Sequence, residues 1–306
     1  MNVYEIITER ILGKLEEGRV PWRKPWQGGE AGMPRNLQTG HPYRGINVFL
    51  LAAAGYASPY WLTFRQARQR GGTVRSGEHG TPVVFWKWHH AQEQDAEDRR
   101  RQRRIPFLRY YTVFNVSQCD GVSVAVTSMP LQHELSPIQR CEEVVAGMPD
   151  APAIQTGRTQ AAYLPAYDKI LMPARSAFES AESYYATLFH ELAHSTGHER
   201  RLARPAVMDS VAFGSHDYSK EELVAEMGAA FLCGHTGIEN AALENAAAYI
   251  DSWLRVLRGD SRMVVQAATH AQKAADFILG RTSESASDMA EDEHGDAAQV
   301  AEEGRP

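Results

Sequence analysis

The sequence predicts an α+β fold, in which a mixed N-terminal part with a long β-hairpin precedes a mainly helical C-terminal part with a small sheet. Apolar residues recur at three- and four-residue spacing near the N-terminus and through most of the second half, as helices require. Between these regions lie two strand-like runs, TPVVFWKW and FLRYYTVFNV. With 306 residues, of which 43% are apolar, the chain can bury a core without disulfides. We therefore predict two domains, 1–130 and 131–280, and a disordered acidic tail, 281–306.

The elements of the N-terminal part follow from local patterns. Residues 2–17 have the spacing of an amphipathic helix, which Gly18 ends. Short helices are expected at 45–54 and 64–70. The two strand-like runs, 81–88 and 107–116, form the hairpin, and the charged segment 89–104 is its loop.

The elements of the C-terminal part begin with a helix at Pro137, for which Ser136 is the N-cap. Short strands follow within 162–173. Residues 169–173 are either an edge strand, to which an extended peptide could add, or a core strand. Four further helices are expected at 180–195, 219–234, 241–258 and 261–279. The third of the C-terminal helices has a capping-box pattern, Ser219 with Glu222 three residues later.

The strongest chemical signal is His190-Glu191-Leu192-Ala193-His194, an HExxH motif within a predicted helix. Positions i and i+4 of a helix share a face, so two imidazoles can hold Zn²⁺ together. Zinc lowers the pKa of its bound water to about 7, and Glu191 is placed to take the proton. We predict a Zn²⁺ site, with other divalent ions as alternatives, and Glu191 as general base.

A third ligand is needed, because catalytic zinc sites have three protein ligands and an open position. The longer HExxHxxGxxH pattern is excluded, since position 200 is Arg200. We favour Glu226, which lies among small and apolar residues and needs a partner there. Glu222 is the second candidate. Four weaker candidates remain, namely His198, His216, Asp217 and His235.

The net charge differs in sign between the two halves of the chain. The formal net charge of −6 combines about +7 in residues 1–130 with about −13 in residues 131–306. Five of the six tryptophans lie in the basic half. Phosphates attract basic residues and bases stack on aromatic rings, so this half is predicted to bind single-stranded DNA, with double-stranded DNA as an alternative. The motifs of sequence-specific binding modules are not found.

The DNA-binding candidates fall in two basic and aromatic clusters. They are Trp22, Arg23, Lys24, Trp26, Arg35, Arg44, Arg65, Arg68 and Arg75. A third cluster, Arg99 to Arg104, has the alternative of a solvated loop neutralised by neighbouring acids. For the tryptophans the alternative is core packing, which we expect for at least Trp86 or Trp88.

Composition also excludes other classes of protein. A run of 18 apolar residues is missing, so a transmembrane helix is not predicted. The first residues do not have the basic and apolar pattern of a signal peptide. Three widely spaced cysteines suit a reducing compartment. We therefore expect a cytoplasmic protein that does not act on membranes.

Several segments of the sequence together resemble the ArdC-type antirestriction proteins of conjugative plasmids. The resemblance extends to about residue 280 and rests on seven segments. They are VPWRKPW (20–26), YRGINVFLL (43–51), YWLTFRQA (60–67), RSGEHGTPVVFWKW (75–88), YYTVFNVSQCDG (110–121), LFHELAHSTGH (188–198) and EELVAEMGAAFLC (221–233). The family implies a single-stranded-DNA-binding N-terminal domain, a zincin-like metallopeptidase domain, and protection of incoming plasmid DNA from host restriction.

Two functional hypotheses follow. In the first, the protein is an active metallopeptidase that DNA brings to a protein substrate, such as a component of a restriction system. In the second, it masks DNA and its metal is structural or vestigial. The intact Glu191 favours the first, since a structural site needs no general base. A third hypothesis, a DNA mimic acting through the acidic tail, is disfavoured by the basic N-terminal half.

Overall fold

The structure, a computed structural model, describes residues 2–23, 32–94, 100–124, 135–208, 216–238 and 246–281. Side chains are described within these ranges except at 88–94, 100–106, 208 and 246–248. The helices are α1 Val3–Glu16, α2 Ile46–Ala52, α3 Phe64–Gln69, α4 Pro137–Gly147, α5 Ala181–Ser195, α6 Pro205–Met208, α7 His216–Thr236, α8 Ala246–Gly259 and α9 Met263–Ile278. The strands are β1 Arg35–Asn36, β2 Tyr60–Leu62, β3 Thr73–Val74, β4 Thr81–Gln94, β5 Arg100–Asn115, β6 Cys119–Asp120, β7 Ala153–Thr156, β8 Ala162–Leu164 and β9 Lys169–Met172. The predicted α+β class is confirmed.

Helix ends agree with the caps that the sequence contains. Asn2 and Glu5 form a capping box that starts α1, and Gly18, at φ 76°, follows its end. Ser136 caps α4, whose first residue is Pro137, as expected.

The hairpin of β4 and β5 is longer than predicted. The two strands pair without interruption from Thr81↔Val113 to Gln94↔Arg100, so most of the segment expected to be a charged loop is strand. Antiparallel pairing satisfies backbone hydrogen bonds at each added residue, and this outweighs the polar composition. The hairpin joins β1 and β2 in a sheet of order β1-β2-β5-β4.

The small sheet of the C-terminal part has the order β7-β9-β8. Strand β9 pairs in parallel with β7 and antiparallel with β8. The segment 169–173 therefore supplies the central strand, which excludes an edge position for it, and β8 is an edge.

Helix α7 begins at His216, three residues before the predicted N-cap. Ser219 lies inside the helix, so the capping box of Ser219 and Glu222 is wrong. Residues 216–218 are polar and carry no apolar periodicity, so the sequence pattern could not include them. Glu222 is therefore available for another role.

One hydrophobic core extends from Ile7 to Ile278 and includes residues from both parts of the chain. The rings of Phe49 in α2 and Phe231 in α7 stack with centroids 4.8 Å apart. Trp22 and Trp61 are fully buried, at 0% and 1% exposure. At least one of Trp86 and Trp88 was expected to be buried; Trp86 is partly exposed and packs against this core, and the Trp88 side chain lies outside the described residues.

The predicted boundary at residue 130 and the predicted tail after residue 281 lie outside the described residues. In the part of the chain that the structure describes, no helix combines the length and apolar character needed to cross a membrane.

Candidate metal centre

The HExxH motif lies in the last two turns of α5, a helix whose other face is in the core. Ser180 caps its start by accepting a hydrogen bond from the Ser183 backbone N–H. Residues such as Phe189 and Leu192 are fully buried and fix the helix orientation. The Nε2 atoms of His190 and His194 lie 3.0 Å apart, as expected for one helix face.

Glu222, from α7, completes a group of three metal-binding side chains. Its carboxylate oxygens lie 3.6 Å from His190 Nε2 and 3.7 Å from His194 Nε2. One ligand atom from each of the three residues lies within 4.8 Å of the others. Two imidazoles and a carboxylate suit Zn²⁺ and related divalent ions. The residues present therefore fit a metal ion.

The electrostatics of this group also suit a cation. Burial would raise the pKa of Glu222, but the neighbouring His190 and His194 imidazoles outweigh it and hold the pKa well below its ordinary value. Burial would lower the pKa of His194, but Glu221 and Glu222 raise it to about 10. The carboxylates thus hold positive charge at the position that a metal ion would occupy.

Glu226, our expected third ligand, is directed elsewhere. Its carboxylate accepts hydrogen bonds from Trp22 Nε1, at 2.8 Å, and from the Tyr249 hydroxyl. The structure therefore favours Glu222, the second candidate from the sequence, over Glu226. We expected that the carboxylate of Glu226 would need a partner because it is buried. It does have one, but this partner is the Trp22 indole from the N-terminal part and not a metal ion.

The four weaker ligand candidates also lie outside the ligand group. His216 faces Asp217 and Asp260, at 3.7 and 3.4 Å. His235 contacts Arg281 at 3.5 Å. His198 lines the cavity beside the group without joining it.

Behind His194 lies a buried ion pair that the sequence analysis missed. Glu221 Oε1 is 3.3 Å from His194 Nδ1, and Arg204 donates two hydrogen bonds to the Glu221 carboxylate, at 2.6 and 2.9 Å. Arg204 also donates to the Ala193 carbonyl at the end of α5. With Nδ1–H donated to Glu221, Nε2 of His194 is the ring atom that can bind a metal ion once its own proton is released. The sequence does contain a signal for Glu221, because it is followed directly by a second acid, Glu222. No pattern in the sequence indicates that Arg204 orients Glu221.

Close contact between α5 and α7 brings these ligands together. A Cβ built on Gly228 would lie 2.9 Å from the Ala193 Cβ, which is closer than side chains tolerate. The small residue at position 228 therefore allows α7 to approach α5 closely. A larger residue at 228 would separate Glu222 from the two histidines.

Glu191 extends from α5 toward the small sheet and lines the same cavity as His190 and His194. It is 8% exposed, and its Oε2 accepts a hydrogen bond of 2.7 Å from the backbone N–H of Tyr163 in β8. Arg201 and Asp168 hold this strand, since both contact the Tyr163 hydroxyl. The strand thereby orients the glutamate.

A cavity of about 880 Å³ opens over these residues. Its walls come from α5, α6, α7, β8, the residues around β8 and the segment after α5 that contains His198. Tyr218 lies in this wall, and burial together with the nearby Glu222 raises the pKa of Tyr218 to about 12. The phenol is therefore a hydrogen-bond donor at neutral pH. The arrangement can hold a divalent ion, a water molecule and a carboxylate base beside a strand edge.

The predicted DNA-binding residues are dispersed. Trp22 is in the core, and Lys24 and Trp26 lie outside the described residues. Arg44 pairs with Asp276 of α9, and Arg35 is half-buried.

The remaining DNA-binding candidates are at the surface. Arg68 lies over the exposed ring of Phe64, 5.8 Å from its centroid, whereas Arg75 pairs with Glu78 at 2.7 Å. Arg23 and Arg65 are exposed. The structure thus does not gather the seven candidates that it describes into one surface.

Comparison with protein families finds two matches along the chain. Residues 1–114 match the N-terminal domain of the anti-restriction factor ArdC. Residues 140–270 match a zincin-like metallopeptidase family, MPTase-PolyVal. The order of the two matches agrees with the order of the two predicted parts.

Curated relatives match over nearly the whole chain. The DNA primase TraC of Escherichia coli is 36% identical over 298 residues, which are 90% of this chain but 27% of the primase. The uncharacterized protein y4eC of Sinorhizobium fredii (strain NBRC 101917 / NGR234) is 37% identical over 293 residues, 92% of this chain and 93% of that protein.

Solved structures of similar fold include two of the antirestriction ArdC protein from the R388 plasmid. The metal-free structure has a TM-score of 0.70 at 39% identity, and covers 91% of this chain and 97% of that one. The Mn(II)-bound structure has a TM-score of 0.71 at 38% identity, with 92% and 98% covered. The similar ArdC protein therefore accepts a divalent ion.

Proposed function

The chain belongs to the family of ArdC antirestriction proteins, and from this premise we propose that it is a metal-dependent peptidase that also binds single-stranded DNA. In this proposal it protects incoming plasmid DNA from host restriction in the cytoplasm. Its peptide substrate is a protein of the host, such as a component of a restriction system. The N-terminal region to about residue 130 binds DNA, and the region to about residue 280 carries the peptidase site.

The observation that carries the peptidase proposal is the placement of His190, His194 and Glu222 beside Glu191 in one cavity. We assign the first three as ligands of Zn²⁺ or Mn²⁺. When bound, such an ion supplies Lewis acidity that polarises a carbonyl and acidifies water. This use of a second glutamate, from another helix, matches the ligand sets of catalytic zinc sites.

Glu191 is the proposed general base. It takes a proton from the attacking water and later gives it to the leaving amine, so that the amine departs neutral. Its hydrogen bond from the Tyr163 N–H fixes the direction of the carboxylate. Tyr218, as a phenol on the cavity wall, is placed to donate a hydrogen bond to the carbonyl oxygen of a peptide.

Strand β8 supports binding of an extended peptide. It is an edge of the small sheet and it lines the cavity. A peptide can add to such an edge through main-chain hydrogen bonds, which do not depend on its sequence. The strand proposed to pair with a peptide is therefore residues 162–164, and not the segment 169–173 that the sequence suggested.

DNA binding is supported by charge and by family membership. The net charge of about +7 in residues 1–130 would attract a phosphate backbone, and the exposed residues Arg23, Arg65 and Arg68 belong to this region. Arg68 and Phe64 provide a cation beside an exposed ring.

The test is to replace Glu191 with glutamine and compare peptide cleavage, metal binding and protection from restriction. Glu191→Gln keeps the size of the side chain, and Glu143→Gln on the exposed face of α4 is the matched control. Cleavage should be measured with a peptide library on the Mn²⁺- and Zn²⁺-loaded proteins. We expect wild type and Glu143→Gln to cleave, and Glu191→Gln to bind metal without cleaving.

Three outcomes would contradict parts of the proposal. Cleavage by Glu191→Gln at the wild-type rate removes Glu191 as the base. Loaded wild type that cleaves no peptide in the library removes the peptidase proposal. Full protection by Glu191→Gln in cells supports the DNA-masking hypothesis, in which proteolysis is not needed for antirestriction.

A further inference from the structure

One face of the hairpin of β4 and β5 carries a row of rings and cations that the sequence analysis did not single out. Arg109 lies opposite Phe85 in the strand register, and Lys87 lies opposite Phe107. The Arg109 guanidinium is 5.2 Å from the centroid of the Phe107 ring. The Phe85 and Tyr111 rings are 5.6 Å apart. We call these five residues the hairpin row.

The hairpin row is accessible. Arg109 is exposed, and the other four residues are partly exposed. Successive residues of a strand point to opposite faces, so residues 107, 109 and 111 share one face of β5. Tyr110, between them, points to the opposite face and is 46% exposed. The same strand therefore contains an exposed aromatic residue that does not belong to the row.

The cations of the hairpin row are not neutralised within the described residues. Neither Arg109 nor Lys87 has a carboxylate within ion-pair distance there, in contrast to Arg44 and Arg75. Residues 81–115 contain seven Lys and Arg against four Asp and Glu. The hairpin is thus basic, and an anionic partner would meet uncompensated charge.

We propose that the hairpin row is the platform on which single-stranded DNA binds. This inference rests on the DNA binding proposed above and names the surface responsible for it. Bases stack on the Phe107 and Phe85 rings, while Arg109 and Lys87 contact the phosphates. Ring faces accept any base, so binding of this kind has no sequence preference. In this proposal the hairpin row provides the base stacking that the sequence pattern suggested for Trp22, whose ring is buried in the core.

The experiment measures binding of a fluorescent mixed-sequence oligonucleotide to the full chain by anisotropy, at several salt concentrations. Phe107→Ala should weaken binding by roughly 5- to 160-fold, the usual effect of losing one stacked base. Arg109→Gln should lower the steepness of the salt dependence by about 0.7 in log–log slope, the value for one phosphate of a single strand. Tyr110→Ala is the matched control and should bind like wild type.

The possible results distinguish the inference about the hairpin row from the proposal that the protein binds DNA. Wild type that binds no oligonucleotide overturns both. Wild type that binds, with Phe107→Ala and Arg109→Gln unchanged in affinity and salt slope, overturns the hairpin row and leaves DNA binding to another surface. An equal loss in Tyr110→Ala also overturns it. Because Arg109 is exposed, its variant remains informative if Phe107→Ala folds poorly.

Discussion

The indole nitrogen of Trp22 donates a hydrogen bond of 2.8 Å to the carboxylate of Glu226, and these residues are 204 positions apart. Trp22 comes from the N-terminal part, whereas Glu226 lies one helical turn after Glu222 in α7. The indole also packs edge-on against Trp253, with centroids 6.3 Å apart. The N-terminal part therefore contacts the helix that supplies a proposed metal ligand.

Replacing Trp22 with phenylalanine should destabilise the whole chain. The variant keeps an aromatic ring but removes the N–H donor, so Glu226 loses a buried partner. Such a loss typically costs about 1–3 kcal/mol of unfolding free energy. Urea unfolding of the metal-free protein measures it. A stability equal to that of wild type would show that Tyr249 alone satisfies the carboxyl group.

Glu226 should make stability fall as pH rises. Burial raises the pKa of Glu226 to about 8, and Glu222 adds to this, while the Trp22 hydrogen bond acts in the opposite direction. In the unfolded chain the pKa returns to about 4.5, so the folded state holds a proton that the unfolded state has released. The stabilisation is complete below pH 4.5 and is lost as pH rises to about 8.

Urea unfolding of metal-free wild type and Glu226→Gln across pH 5 to 9 tests this effect. The variant cannot titrate at position 226, so its stability should decline less over this range. Parallel curves for the two proteins would show that Glu226 is ionised in the folded state at neutral pH.

Metal binding should distinguish Glu222 from Glu226. Glu222→Gln removes a charged ligand and should weaken Mn²⁺ or Zn²⁺ binding by at least about tenfold, because a neutral amide is a poorer ligand for these ions. Glu226→Gln is the matched control on the same helix and should retain affinity close to wild type. Titration calorimetry measures both. The reverse order of effects would restore Glu226 as the ligand.

Arg204 should act on metal affinity through Glu221 and His194. Arg204→Lys keeps the charge but loses the two-pronged contact to the Glu221 carboxylate. Disturbing a group that orients a metal ligand typically costs 10- to 100-fold in affinity. Arg200→Lys, at an exposed neighbouring position, is the control.

A second variant guards against a folding defect in Arg204→Lys. Glu221→Gln keeps the side-chain volume and removes the charge that faces His194 Nδ1. Both variants should bind metal more weakly while their circular dichroism stays that of wild type. Wild-type affinity in both would limit Arg204 and Glu221 to a structural role.

Much of the architecture was predictable because local signals decide it. Periodic apolar residues and caps such as Asn2 and Ser136 indicate where helices form, and one motif places two histidines and Glu191 on one helix. The choice between Glu222 and Glu226 was not predictable. These residues share a helix face, and the positions of Trp22 and Tyr249, which both donate to Glu226, leave Glu222 beside the histidines.

The DNA-binding residues were also not predictable from local patterns. Trp22 and Arg44 stand in basic, aromatic segments that favour nucleic acid, yet Glu226 and Asp276 engage them from more than 200 residues away. Arg109 and Phe107 belong to a run that predicts a strand, and the register that puts them beside Phe85 and Lys87 is a property of the paired hairpin. Long-range pairing is not visible in a single sequence.

Helix α9 has a consequence for how the protein folds during its synthesis. It packs against α1 and α2, and its Gln272 accepts a hydrogen bond of 3.0 Å from the Gly45 N–H. The ribosome releases the N-terminal part long before α9 is synthesised, so the first helices wait with apolar faces open to solvent. Final assembly of the N-terminal core therefore requires that α9 has been synthesised, and a chain truncated before residue 263 would leave these apolar faces uncovered.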